Sequence, residues 1–370
     1  MKKIKILFEG ISQNPGGIEN FVYNIYKNMD KDLYDVSFLV DGNVKIAHYD
    51  DYEKDGCKFF YTENRKKSYF KYLKDLRDIY TKNQFDIIHI NVMSFSLFER
   101  ITYACKYSNA EVIVHSHSTG YAKGYYKTKI LHEIGKIFVK NKKFNKIACG
   151  ENAGRFMFGK CNYAVVNNGI DMDKFKYSEQ ARNEIRYELN IDSSTTVISH
   201  VGVFYPVKNH SFLIDIFSEY LKINSNSCLV LVGDGFLKSK IEQKAIDLNI
   251  KDKVIFTGKR NDVNKMYSAS DIYVMPSISE GLSISLCEAQ VNGLKCYTTD
   301  GVDRNSDISG NVEFLSLKND AKYWANEIYK NTRRDFNVTS KIKSEYDLKN
   351  TCDTVYDYYQ NILGVKQEKT

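Results

Sequence analysis

Twice along its 370 residues the chain repeats one rhythm: a short β-branched run, a turn signal, then a stretch with helical spacing. That alternation marks a parallel sheet whose crossovers are helices, and it constrains the fold more than any other feature. The first series predicts strands at 4–8, 36–40, 85–90, 112–115, 146–149 and 163–166. The second predicts them at 197–201, 229–232, 254–256, 272–275, 296–299 and 312–315. Between strands, Ile18, Phe21, Val22, Ile25 and Tyr26 follow the i, i+3, i+4, i+7 spacing of a helix with one buried stripe, and 212–221 does the same. Near Asn168 the rhythm pauses for the polar segment NGIDMDKFKYSEQARNE, which places a domain boundary within 165–190. The expected organisation is a first α/β domain over 1–170, a second over 171–342, and a helical tail in 343–370 that crosses back to the first. A chain of this length with 43% hydrophobic content suits two cores rather than one, and with only 3 prolines it should fold throughout.

Several classes drop out. The eight cysteines (Cys57, Cys105, Cys149, Cys161, Cys228, Cys287, Cys296, Cys352) are scattered, without the paired short spacing of a metal site or disulfide framework, and read as reduced core residues. The opening MKKIKILFEG runs quickly into polar sequence, and no run approaches the roughly 20 apolar residues of a spanning helix, so a cytoplasmic protein is expected. The net charge of +7 is modest but unevenly spread. Within 121–146 stand Lys123, Lys127, Lys129, Lys136, Lys140, Lys142, Lys143 and Lys146, with Glu133 the only acid and Ile130, Leu131, Ile134, Ile137 and Phe138 between them. Such a stretch is either a solvated helix face or a peripheral contact with an anionic membrane at the inner face of the cell. No nucleic-acid-binding signature accompanies it.

Five segments carry candidate chemistry. Pro15, Gly16, Gly17, Ile18 and Glu19 form a turn that opens a helix, where backbone N–H groups can approach an anion; a plain turn is the alternative. The strand ending at HSHS (His115 to Ser118) puts His115 and His117 on one face at a carboxyl strand end, which favours substrate contact over a metal pair lacking a third ligand. GVFYPVKNH holds Gly202 and, at a loop-to-helix junction, Lys208, a point charge for phosphate. GDG (Gly233 to Gly235) and TGKRND, with Gly258, Lys259 and Arg260, are tight turns at strand ends that either wall a flat base or simply connect. Most telling is SEGLSISLCEAQ. Glu280 lies in the loop, Gly281 permits close approach, the amides from Gly281 through Leu282 to Ser283 can face phosphate, and Glu288 lies about two turns into the next helix. The two carboxylates can then touch different hydroxyls of one extended ligand.

Taken in order, GGIE, HSHS, NNGID, GVFYPVKNH, LVGDG, FTG and SEGLSISLCEAQ resemble the family 4 retaining glycosyltransferases, especially the branch that builds capsular and exopolysaccharides. The likeness runs from Lys3 to about Leu317, and the two glutamates with seven residues between them are its most specific mark. It implies an α/β protein of the GT-B fold, two Rossmann-like domains with parallel sheets facing a central cleft, the first (1–170) binding the acceptor and the second (171–342) the nucleotide sugar. It further implies that Glu280 meets the donor hexose, Glu288 the ribose and Lys208 the diphosphate. Gly16 and Gly17 would face the reaction centre, with His117 beside donor sugar and acceptor. Gly202, Gly258 and Arg260 would join Gly281, Leu282 and Ser283 around the donor. The expected donor is a nucleotide diphosphate sugar, a UDP-hexose or UDP-N-acetylhexosamine, used without a bound metal or other cofactor. The expected acceptor is a glycan or a polyprenyl-linked oligosaccharide.

One departure stands out. Where the family usually has arginine directly after the glycine of the segment matched by GVFYPVK, this chain has Val203; Arg260 or Lys259 is the candidate replacement. Loss of one of two cations at a departing diphosphate costs roughly 10²-fold in rate if nothing replaces it. The second reading is therefore a catalytically weak or inactive GT-B subunit that assists a companion transferase. A dinucleotide enzyme is disfavoured because no G-x-G-x-x-G follows the first strand.

Overall fold

A computed structural model describes residues 3–14, 16–121 and 126–364. The chain forms two compact units. The first comprises 1–169 together with 348–370, and the second comprises 170–347.

In the first unit, seven strands form one parallel sheet: β1 (Ile4–Glu9), β2 (Tyr34–Asp41), β3 (Lys58–Thr62), β4 (Ile87–Val92), β5 (Glu111–Ser116), β6 (Asn145–Ala148) and β7 (Ala164–Val165). Their spatial order is β3-β2-β1-β4-β5-β6-β7. Construction reverses direction between β1 and β4, which pair with Phe8 opposite His89 and Glu9 opposite Ile90. A reversal of this kind opens a ligand crevice at the carboxyl strand ends. Every residue of β4 is buried, as a strand covered by helices on both faces must be. β3 is the one strand absent from the sequence prediction. It lies at the sheet edge with Lys58 and Tyr61 exposed, and so lacks a continuous apolar run.

The second unit repeats the scheme with β8 (Thr196–Val201), β9 (Ser227–Val232), β10 (Val254–Gly258), β11 (Ile272–Met275), β12 (Lys295–Thr299) and β13 (Val312–Leu315), ordered β10-β9-β8-β11-β12-β13. Here β8 and β11 meet at the reversal, with Ile198 opposite Ile272. Helix His210–Ile223 buries Leu213, Ile214, Ile216, Phe217 and Tyr220. The chain's single tryptophan, Trp324, is fully buried in the same cluster. Full burial of an aliphatic or aromatic side chain of this size is worth about 1.5–3 kcal/mol, so this stripe largely fixes where the helix lies.

The chain passes into the second unit after Gly169 and returns after Asp347. Residues 343–347, grouped with the final helix by the sequence reading, therefore stay with the second unit, and the helix itself spans Leu348–Leu363. It packs into the first unit's core through Cys352, Val355 and Tyr359. The polar segment after Asn168 is not a plain linker either. It runs into helix Glu179–Glu188, whose Arg182 and Arg186 both pair with Asp271 at 2.7 Å. Of the cysteines, Cys228, Cys287, Cys296 and Cys352 are buried, whereas Cys161 is exposed. Among the described residues, no helix is long and apolar enough to cross a membrane.

Candidate functional site

In the second unit, the loops leaving β8 and β11 become neighbours because those strands pair. The Ile278 N–H donates to the Val207 carbonyl at 2.8 Å. After β8 a single turn, Pro206–Lys208, ends at Asn209 in the left-handed region (φ 55°), and helix His210–Ile223 begins. After β11 the chain holds Glu280 by backbone bonds to the Gly301–Asp303 loop, then enters helix Ile284–Val291 with Ser283 as its N-cap. This puts the Lys208 ammonium 2.8 Å from the Glu280 carboxylate, each side chain about one-fifth exposed (18% and 20%). The Lys208 stem passes Gly202, where any Cβ would sit 3.5 Å from it. Beneath lie His200 and His210 with ring centroids 4.7 Å apart. Burial holds His200 well below the usual imidazole range and His210 down to about 4, so both are neutral and leave Lys208 as the local cation.

Glu288 sits on the second turn of helix Ile284–Val291 and accepts a hydrogen bond from the buried Tyr267 hydroxyl at 3.1 Å. Burial pushes its carboxyl up to about 7, with the Tyr267 bond and Lys174 pulling weakly the other way. Tyr267 was missed by sequence reasoning, since nothing in NKMYSA sets it apart from a core tyrosine. The Ser283 amide, expected to face phosphate, already donates to Ser306 Oγ at 3.2 Å.

The turns after β9 and β10 lean on one another and on the loop after β8. Gly233 has φ 138°, and a Cβ there would lie 2.1 Å from the Gly202 carbonyl oxygen, so the GDG turn is glycine because it presses on the GVF loop. The Gly258 carbonyl accepts the Gly233 N–H at 2.9 Å. Arg260, a candidate for the arginine missing at Val203, is already paired. Its guanidinium is held by Asp262 at 2.7 Å and by Glu188 at 2.5 Å, on the edge strand's loop two strands from Lys208. Val203 itself is exposed, as is Lys259.

In the first unit, Gly16 caps helix Gly17–Lys27, and Pro15 lies outside the described residues. The Glu19 carboxylate folds back toward this helix start and accepts the Ser12 N–H at 2.8 Å, so the positive end already has an anion. His115 and His117 do share a face, with ring centroids 4.0 Å apart and Phe21 edge-on to both. His117 Nε2 lies 2.9 Å from Asn91 Oδ1, while the Asn91 Nδ2 donates to the Glu9 carbonyl. The amide orientation therefore makes Nε2 the donor, and Nδ1, which has no protein partner, is left as an acceptor. Burial pushes His117 down to about 3, so the ring is neutral at physiological pH. Behind it, His115 Nδ1 lies 3.1 Å from His89 Nε2, and His89 Nδ1 lies 2.6 Å from the Tyr359 hydroxyl. Asn91 and His89 were also missed, although polar residues interrupting the apolar run IIHINV were a usable signal.

Comparison with known proteins agrees with this layout. Residues 15–174 match the family described as Glycosyltransferase Family 4, and residues 181–333 match Glycosyl transferases group 1. The putative glycosyltransferase EpsF of Bacillus subtilis is 30% identical over 359 residues, covering 94% of this chain and 92% of that protein. The chain belongs to the family 4 glycosyltransferases. A second member, the Escherichia coli UDP-Gal:alpha-D-GlcNAc-diphosphoundecaprenol alpha-1,3-galactosyltransferase, is 24% identical with 98% of each chain covered. Among solved structures, Anabaena HepE in complex with UDP superposes with a TM-score of 0.79 at 17% identity, over 97% of this chain and 100% of that one. Its complex with UDP-glucose gives 0.77. The family 4 chain thus has the GT-B fold, with two Rossmann-like parallel-sheet units of seven and six strands.

Proposed function

We propose that this glycosyltransferase moves a hexose or N-acetylhexosamine from a UDP-sugar, with retention of anomeric configuration, onto a glycan or lipid-linked oligosaccharide during capsule or exopolysaccharide synthesis. The observation that carries the reading is the Lys208–Glu280 pair at the β8 and β11 strand ends, followed by Glu288 on the next helix. A donor diphosphate takes the ammonium of Lys208 and the amides of Gly281 and Leu282. Glu280, released from Lys208, accepts from hexose hydroxyls, and Glu288 accepts from ribose hydroxyls. As the sugar–phosphate bond breaks, negative charge grows on the departing UDP, where a fixed cation and oriented amides stabilise it without a divalent ion. His117 offers its Nδ1 to a sugar hydroxyl. The UDP and UDP-glucose bound to HepE support the donor class, and the E. coli relative's diphosphoundecaprenol substrate supports a lipid-linked acceptor.

A lipid-linked acceptor gives the basic stretch a role. Helix Tyr126–Val139 leaves Tyr126, Ile130, Ile137 and Phe138 more than half exposed, beside the exposed Lys127, Lys129 and Lys140; Lys123 lies outside the described residues. Apolar residues flanked by lysines suit shallow insertion into an anionic leaflet. Sedimentation with phosphatidylglycerol vesicles, but not with phosphatidylcholine vesicles, is the expected result.

The assisting-subunit reading keeps one observation in its favour: Val203 is uncharged and Arg260 is already paired. The deciding experiment follows transfer and donor hydrolysis by NMR with a UDP-sugar panel in EDTA, for the natural chain and Val203→Arg. Robust turnover with an α-linked product from an α-linked donor supports the transferase. Turnover seen only in Val203→Arg supports the subunit.

A further inference from the structure

The imidazole of His117 is aligned by one side chain, and that side chain is itself pinned. Asn91 stands near the carboxyl end of β4 and is 4% exposed. The His117 N–H donates to the Val92 carbonyl at 2.9 Å, so the chain leaving β5 stays in step with β4 and brings the ring to the Asn91 amide. That amide has no freedom to turn over. Its Nδ2 donates to the Glu9 carbonyl at 3.0 Å, and because a carbonyl only accepts, Oδ1 has to face His117 Nε2. The ends of β1 and β4 come this close because Gly10 follows Glu9: at its φ of 83°, a Cβ would lie 2.0 Å from the Asn91 carbonyl oxygen. Around the ring, Phe21 is uncharged, and His115 and His89 are held neutral by burial, with Tyr359 behind them. Two acids stand on neighbouring elements, and both are engaged elsewhere. Glu19 accepts from Ser12, and the Glu9 carboxyl accepts from Tyr80 in the apolar cluster on the sheet's opposite face. Among the described residues, none donates to His117 Nδ1.

We propose that Asn91 is a positioning residue for transfer: its amide fixes which nitrogen of His117 carries the proton, so that the substrate group met by His117 has to be a hydrogen-bond donor. The proposal rests on the transferase reading above for the presence of a substrate, and on the pinned amide for what His117 does with it. A neutral imidazole without such a neighbour exchanges its proton between two tautomers. In the other tautomer Nδ1 becomes an N–H that seeks an acceptor, such as a phosphate or ether oxygen. With Asn91 in place, Nδ1 keeps its lone pair. Phosphate and ether oxygens, which only accept, gain nothing from it, whereas a sugar hydroxyl can donate to it and keep its own oxygen lone pairs for other partners. His117 therefore holds a hydroxyl in line and takes no part in stabilising the departing diphosphate. The task of neutralising that charge stays with Lys208 and the amides of the second unit.

The test reads the tautomer directly, by long-range proton–nitrogen NMR of the full chain labelled in histidine, with the His117 signals assigned by their absence from His117→Gln. The natural chain should show the Nε2–H form, and Asn91→Leu a mixture of both forms. In transfer or donor hydrolysis with the UDP-sugar panel, Asn91→Leu should lower kcat about tenfold, the worth of one hydrogen bond, and leave the UDP thermal shift unchanged. The same substitution should cost little more once His117 is glutamine, because two residues acting through one contact are not additive. Asn91→Asp still accepts from Nε2 but adds a charge that favours the doubly protonated ring, so its activity should fall as pH drops and recover as pH rises. The natural chain has no such dependence near neutrality, since burial keeps His117 down to about 3. An Nδ1–H form in the natural chain, an unchanged tautomer in Asn91→Leu, or equal losses from Asn91→Leu with and without His117 each overturns the proposal. Absence of turnover and of UDP binding strikes instead at the transferase reading, while the NMR still decides whether Asn91 governs the ring. Should Asn91→Leu fail to fold, the natural tautomer and the pH profile of Asn91→Asp decide.

Discussion

Glu288→Gln should stabilise the second unit, and do so more at high pH than at low. The carboxyl is raised from 4.5 to about 7 by burial, so the folded chain binds its proton more tightly than the unfolded chain between those values. Where the folded state holds more protons, stability falls as pH rises. The carboxyl's contribution is therefore most favourable below about 4.5 and is lost by about pH 7. Moving a carboxyl from 4.5 to about 7 corresponds, at about 1.36 kcal/mol per pH unit, to roughly 3 kcal/mol. Glu288 is partly open to solvent, which lowers the expected effect to about 2 kcal/mol. Glutamine keeps an oxygen to accept the Tyr267 hydroxyl, so packing is little changed. Trp324 is the chain's single tryptophan and lies buried in the same unit, so its fluorescence during urea unfolding reports the relevant transition. The advantage of Glu288→Gln over the natural chain should be near zero at pH 4.5 and about 2 kcal/mol at pH 8. A constant difference across that range refutes the argument. UDP should stabilise the natural chain and protect the variant much less, because the neutral amide binds ribose hydroxyls more weakly.

Three further outcomes follow from the geometry. Lys208→Ala removes the cation beside Glu280 and should lower kcat by about 10²–10³-fold in a transfer assay, with the fold retained by circular dichroism. Gly233→Ala forces a Cβ against the Gly202 carbonyl and should cost about 3 kcal/mol or more in urea unfolding followed by Trp324. Tyr359→Phe leaves buried His89 without its hydroxyl partner and should cost about 1–3 kcal/mol, read as a lower first-unit transition by tyrosine circular dichroism.

The buried strands were legible because a parallel strand covered on both faces is written as an unbroken apolar run, as in Leu229 to Val232. Strand β3 was not, because one side of an edge strand is solvated and KFFYT mixes both environments. The charged residues of the candidate site could be picked out by type, but their partners could not. Lys208 and Glu280 are 72 positions apart and meet only because β8 pairs with β11 rather than with β10. The same limit hid the partner of Arg260. Its charge was visible, whereas the Glu188 that takes it up, at the end of helix Glu179–Glu188, was not.

The return of helix Leu348–Leu363 to the first unit has a consequence for biosynthesis. Cys352, Val355 and Tyr359 complete an apolar cluster whose other members all precede Gly169. As the chain leaves the ribosome, its leading half must wait, partly uncovered, while residues 170–347 are made. That middle segment is continuous and compact, so it is free to fold first even though it is synthesised second. The amino-terminal half closes only once the last helix has emerged, which makes a ribosome stalled before Leu348 the point of greatest exposure to aggregation and proteolysis.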